Sequence, residues 1–261
     1  MRSYKKLSKD EINEMPLVKY EGDIHVLSSK DNIQESIDYL LTQKVIGFDT
    51  ETRPIFTKGP VNAPSIMQLA GENAVYVFQL DSDRMFEKLS QILSNKKITK
   101  CGVSVDRDLI ELMYLSPFDP CSFVDLGDVA RARGIPHHGL RGLAAFFLKS
   151  RISKSAQTSD WSRSRLSKSQ VSYAATDAWI SLELFKKFDF DDYGKETHTK
   201  EILIGKPEQK ERIRKYFQSP LLNERKELIK MNQYIQDNQD RLSNSPEAKE
   251  ARDLIFGSSR S

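Results

Sequence analysis

The sequence predicts an α/β fold. A mixed central sheet opens as an antiparallel meander, continues with parallel strands and is flanked by helices, and a helical appendage follows. Three observations predict it. Apolar, β-prone runs at 45–51, 65–70 and 74–80 follow one another, the last two joined by Gly71-Glu72-Asn73, as in a hairpin. From residue 83 onward, segments with helical spacing alternate with short extended ones. Beyond residue 192 the pattern changes, with Pro207, Pro220 and interleaved charges around one apolar stripe, Leu228, Met231, Ile235 and Leu242. The chain therefore divides into a lead-in, 1–24, an α/β domain, 25–192, and a helical extension, 193–261.

In order, residues 1–30 are polar, interrupted by Pro16 and Gly22, and are expected to form a loose lead-in. Ile33, Ile37, Leu40 and Leu41 give a helix over 31–41, with Ser28, Ser29 or Asp31 as candidate caps. The opening strand follows directly, and Pro54, Gly59, Pro60 and Pro64 make a loop of 52–64. Met85, Phe86, Leu89, Ile92 and Leu93 mark a helix over 83–93, and 98–105 returns to an extended run. Asp106-Arg107-Asp108 then opens a helix carrying Leu109, Leu112, Met113 and Leu115, where acids suit the first turn. A strand at 122–126, a short helix at 127–133 and an apolar stripe over 139–148 complete the alternation. The strongest helix is predicted last, over 169–188, with Val171, Ala174, Ala175, Ala178, Leu182 and Phe185 along its apolar side.

Composition narrows the function. At 261 residues the chain can bury a sizeable core. No apolar run reaches the roughly 18 to 20 residues of a spanning helix, so no membrane partner is expected. The start, Met1-Arg2-Ser3-Tyr4-Lys5-Lys6, leads into charged sequence rather than a signal core. With Cys101 and Cys121 alone, neither a disulfide framework nor a cysteine-rich zinc site is available. A soluble, intracellular protein of the cytoplasm is the expectation. His137, His138 and His198 have no cysteine partners for a metal site, and phosphate-loop signatures are missing.

The net charge of +3 conceals a local excess: residues 131–168 carry nine Lys and Arg against one acid. A local basic block attracts polyanions even when the whole chain is nearly neutral. Its exposed half, 149–169, is rich in serine and suits phosphate contacts, with Lys154 and Arg163 as candidates. Trp161, in the same run, either stacks on a base or packs.

The chemistry centres on Asp49 and Glu51, which alternate around Thr50 and so share one face of a strand. Paired acids repel and desolvate at a cost, which points to bulk water, a bound cation or a shared proton. Tyr173 and Asp177 stand four apart on the last helix, hence on one face of it.

Phe48-Asp49-Thr50-Glu51, the stretch from Gly102 through Asp108, and Tyr173-Ala174-Ala175-Thr176-Asp177 together resemble the three motifs of the DEDDy 3'-5' exonucleases. Ile66-Met67-Gln68-Leu69 and Ser159-Asp160-Trp161-Ser162 extend the likeness toward the Werner-syndrome-helicase type of exonuclease domain, with ribonuclease D more distant. The resemblance covers roughly residues 25 to 190 and implies a ribonuclease H-like fold. It implies that Asp49, Glu51, Asp108 and Asp177 hold two divalent cations, Mg²⁺ or Mn²⁺, at a single-stranded 3' end. Asp49 would bridge both ions, Tyr173 would position the attacking water, and nucleoside 5'-monophosphates would leave. Family spacing from Gly102 selects Asp108 over Asp106, whose other role is helix capping. Thr50, Lys154, Arg163 and Trp161 are the candidate substrate contacts, and DNA is favoured over RNA. The alternative, a non-catalytic nucleic-acid-binding or assembly protein on the same fold, would have lost acids that this chain keeps. The extension is expected to pack back on the domain or to mediate self-association or partner binding.

Overall fold

The computed structural model describes residues 4–54, 62–116, 118–188 and 203–204. Apart from Asn62 these fall in one compact unit, 1–54 with 63–215. The apolar stripe of the extension, and most of the loop at 52–64, lie outside the described residues.

The chain opens with α1 (Lys9–Asn13), closed by a capping box: the Ser8 hydroxyl accepts from Glu11 N at 3.1 Å and Glu11 Oε2 accepts from Ser8 N at 2.7 Å. The expected looseness of the lead-in is corrected here. Val18 N donates to Arg151 O and Arg151 N to Pro16 O, both at 2.9 Å, and Leu7 N donates to His137 Nε2 at 2.9 Å. Those partners lie 130 or more residues away, so local polarity does not reveal them. Strand β1 (Asp23–Leu27) then adds parallel to a later strand of the sheet, another pairing that the polar lead-in hides.

Helix α2 (Gln34–Leu41) begins after Ile33, whose side chain offers no cap; Asn32 Oδ1 accepts from Gln34 N at 3.2 Å, while the Asp31 carboxylate accepts from Ser28. Strands β2 (Val45–Thr52), β3 (Pro64–Ala70) and β4 (Ala74–Gln79) form the antiparallel meander, and β1 lies along β4. Helix α3 (Asp83–Leu93) is capped by Ser82, whose hydroxyl accepts from Met85 N. Strand β5 (Thr99–Gly102) pairs parallel with β2. It ends earlier than the predicted run because Ser104, at φ 63°, turns the chain into α4 (Val105–Leu115). Strand β6 (Phe123–Asp125), parallel to β5, passes straight into α5 (Leu126–Ala132). Helix α6 (Leu140–Leu143) runs on as a π-helical turn, Ala144–Leu148. Helix α7 (Lys168–Lys187) and the two-residue strand β7 (Leu203–Ile204) follow.

The sheet order is β1-β4-β3-β2-β5-β6, with β7 antiparallel at the β6 edge. Nearly every residue of β3 and β4 is buried, as expected of strands covered on both faces. Helix α7 lies across β2, β3, β4 and β5. It comes so close to β2 that a Cβ on Gly47 would stand 2.0 Å from Ala178 O. This contact assigns the faces: Gly47, Asp49 and Glu51 look toward α7, while Phe48 and Thr50 look away from it, toward α4. Among the described residues no helix is long and apolar enough to cross a membrane.

Candidate active site

Carboxylates from one strand and two helices meet at the C-terminal end of β2. Asp49 and Glu51 reach the α7 side by alternation, and α7 presents Asp177, 6 % exposed, above them. One oxygen from each of the three acids lies within 4.8 Å of the other two. Asp108, in the first turn of α4, comes from the opposite face and is not one of that group. Its Oδ1 accepts a hydrogen bond from Thr50 Oγ1 at 2.9 Å. Of the two acids in the turn, Asp108 is thus the one tied to the β2 strand end.

Asp125 sets the position of α4. Its Oδ2 accepts from Val105 N at 3.1 Å, and its Oδ1 accepts from Gly127 N at 2.8 Å and Asp128 N at 3.2 Å. One side chain thereby caps α5 and anchors the start of α4.

The electrostatics are those of crowded anions. Burial raises the Asp49 carboxyl, partly offset by the Thr50 backbone N–H. Burial raises Glu51 as well, helped by the charges of Asp49, Asp177 and Asp108. Asp108 and Asp177 also rise, through burial and then the charge of Asp49, with Thr50 opposing in one case and Tyr173 in the other. Tyr173 itself, 8 % exposed and one turn before Asp177, is pushed up by burial and by the Asp177 and Glu51 charges.

Carboxylates held so close keep protons unless a cation replaces them. The residues present fit a divalent metal. All donors are hard oxygens, three of them converge, and the buried Asp177 Oδ1 has no hydrogen-bond partner among the described residues.

The substrate candidates separate. Lys154 and Arg163 are exposed, and Arg163 stands 3.8 Å from Asp160 in a loop tied down by Gln79, which donates to Arg163 O at 3.0 Å. Thr50 is buried, with its hydroxyl committed to Asp108. Of the two roles open to Trp161, stacking and packing, its surroundings are those of a packing residue. Only 1 % exposed, it packs with Ile66, Val77 and Ala174, and its ring lies 5.9 Å from that of Tyr173. His137 serves the lead-in rather than the acids.

Sequence reasoning gave Gln68 no role beyond family likeness. Yet it is wholly buried on β3, in register with Asp49. The available signal was parity: a polar residue between Ile66 and Ala70 on the core-facing side of a strand.

Comparison with known proteins agrees with this geometry. Residues 24–190 match the family described as 3'-5' exonuclease. The chain is 32 % identical over 183 residues to the bifunctional 3'-5' exonuclease/ATP-dependent helicase WRN of Mus musculus, covering 66 % of this chain and 13 % of that protein. It is 28 % identical over 207 residues to the exonuclease mut-7 homolog of Homo sapiens, covering 67 % and 23 %. The chain therefore spans under a quarter of either relative. Among solved structures, the Aedes aegypti Nibbler EXO domain superposes with a TM-score of 0.60 at 22 % identity, over 71 % of this chain and 97 % of that one. Escherichia coli RNase D superposes at 0.57 and 20 % identity, over 66 % and 46 %. The shared architecture is the ribonuclease H-like exonuclease fold.

Proposed function

The chain belongs to the 3'-5' exonuclease family, and from that membership we propose that it removes nucleoside 5'-monophosphates one at a time from a single-stranded 3' end. The observation that carries the reading is the convergence of Asp49, Glu51 and Asp177 within 4.8 Å. Asp49, Glu51, Asp108 and Asp177 would hold two divalent cations, Mg²⁺ or Mn²⁺. Such a pair supplies positive charge that acidifies the attacking water and stabilises the departing 3' oxygen. Asp49, whose charge bears on Glu51, Asp108 and Asp177 alike, would be the ligand shared by both ions. Thr50 holds Asp108 in place. The Tyr173 hydroxyl, one turn from Asp177 and backed by Trp161, orients the water for in-line attack. Lys154 and Arg163 meet the phosphates of the incoming strand.

DNA is the proposed substrate, supported by the likeness to the DNA polymerase I of Aquifex aeolicus, 26 % identical over 165 residues. A second reading, RNA, is favoured by a neighbour of the same fold, the Trypanosoma brucei RNase D in complex with RNA U12. One experiment tests both: 3'-labelled DNA and RNA of matched sequence, digested with Mg²⁺ or Mn²⁺ by the parent and by Asp49→Asn. Release of labelled mononucleotide by the parent alone is expected, faster from DNA. Equal release by both proteins overturns the site, and faster release from RNA overturns the substrate. For residues 193–261 the proposed role is association with a second copy or a partner, supported by their apolar stripe. Sizing the full chain against one ending at Tyr193 checks it. An intracellular location is proposed from the two free, buried cysteines.

A further inference from the structure

We propose that Gln68 is a positioning residue for this centre, its side-chain amide, unpartnered among the described residues, donating to the Asp49 carboxylate when a metal binds and so fixing that ligand's orientation. The proposal rests on the reading of Asp49 as a ligand. Gln68 stands directly opposite Asp49 in the antiparallel β2–β3 register. Side chains so paired project to the same face with Cβ atoms about 4.5–5.5 Å apart. That face is the one under α7: Ile66 packs with Tyr173 and Ala174, and Ala70 with Ala175 and Ala178. Gln68 lies between Ile66 and Ala70, at 0 % exposure, and neither its Oε1 nor its Nε2 has a hydrogen-bond partner among the described residues. Its neighbour in register on the other side, Val77, is buried and apolar.

Stability alone does not account for a glutamine there. A buried amide without a partner is unfavourable, and an apolar side chain of equal length would fill the space. Among the polar groups on its face are the acids, with Asp49 in register and Glu51 and Asp177 within 4.8 Å of it. The charge balance explains the choice of residue. A lysine or arginine would compete with a bound cation, and another carboxylate would add to the repulsion. A neutral amide donates Nε2–H to a ligating carboxylate and leaves the charge available to the metal. Carboxylates that bind metals are themselves held by such hydrogen bonds.

The test is Gln68→Met, which keeps the length and removes the hydrogen bonding. It is read on the full chain by Mn²⁺ binding in electron paramagnetic resonance, thermal melting, and kcat and KM on a single-stranded oligonucleotide. The expected result is a melting temperature equal to or above the parent's, Mn²⁺ affinity weaker by about tenfold, reduced kcat and unchanged oligonucleotide KM. Gln68→Asn, which keeps the amide but shortens its reach, is the second variant and is expected to fold and bind Mn²⁺ several-fold more weakly. Parental Mn²⁺ affinity in folded Gln68→Met overturns the proposal, as does parental affinity in Gln68→Asn should the methionine variant not fold. Asp49→Asn is run alongside. If it binds Mn²⁺ as the parent does, the ligand reading itself fails; if it loses Mn²⁺ while Gln68→Met retains it, only the role of Gln68 fails.

Discussion

Thr50 Oγ1 donates to Asp108 Oδ1 at 2.9 Å, joining the end of β2 to the first turn of α4 on the side of the sheet away from α7. The bond favours the ionised form of an acid whose pKa burial raises. Thr50→Val preserves shape and removes the donor. The metal concentration for half-maximal activity should rise about tenfold, and stability should fall by about 1–2 kcal/mol. Thr50→Ser should restore both. A metal titration of activity checks it, and an unchanged midpoint in Thr50→Val refutes it.

The raised carboxylates make the metal-free protein pH-sensitive. Acids whose pKa is higher folded than unfolded contribute stability that is complete below the unfolded value, near 4, and is lost as pH rises through the folded value. Metal-free protein should therefore lose stability through this group as pH rises from about 4, and added Mg²⁺ should stabilise more at alkaline than at acidic pH. Asp49→Asn removes one repelling charge and should raise metal-free stability at neutral pH by on the order of 1 kcal/mol while abolishing cleavage. Urea melts with and without Mg²⁺ test this; a less stable metal-free Asp49→Asn would mean that the carboxylate has a structural task.

Trp161 meets the Tyr173 ring at 5.9 Å, and with Tyr173 in its proposed role it would act on the reaction through that ring. Truncating so large a buried ring to alanine should cost about 3–5 kcal/mol. The milder Trp161→Phe should lower kcat with little change in oligonucleotide KM, and Tyr173→Phe should lower kcat further on an intact fold. If Trp161→Phe instead raises KM alone, the ring contacts substrate.

Gly47 sets the gap between Asp49 and Asp177. With a Cβ placed 2.0 Å from Ala178 O, and backbone on both sides, Gly47→Ala must push α7 off β2. A loss of about 3 kcal/mol or more is expected, together with activity, because the spacing of the acids changes with the gap. A loss below about 1 kcal/mol in urea unfolding would show that the interface yields.

Lys100 supplies an opposite pH dependence. It is fully buried, donates to Asn95 O and Ile98 O at 2.8 and 2.9 Å, and burial lowers its pKa to about 7. A lysine so depressed contributes stability that is complete above its unfolded value, near 10.4, and is lost as pH falls toward 7. The parent should gain on Lys100→Met by up to about 4 kcal/mol between pH 7 and 10. A constant difference between the two proteins across that range would contradict this.

Much of the fold was legible because its signals are local. Alternation places Asp49 and Glu51 on one face, and a spacing of four places Tyr173 and Asp177 on one side of α7. The meander and the alternating strands and helices follow from period two giving way to period 3.6. What the sequence by itself determined was therefore the kind and order of these elements and the pairing of acids within each. Only the tertiary structure decided which acid of α4 Thr50 would hold, that Trp161 would pack beneath Tyr173, that the lead-in would dock on Arg151 and His137, and that Gln68 would face Asp49. Each of these depends on the register between segments distant in the chain. Register is set by packing across the sheet and under α7, and no residue's nearest neighbours along the backbone encode it.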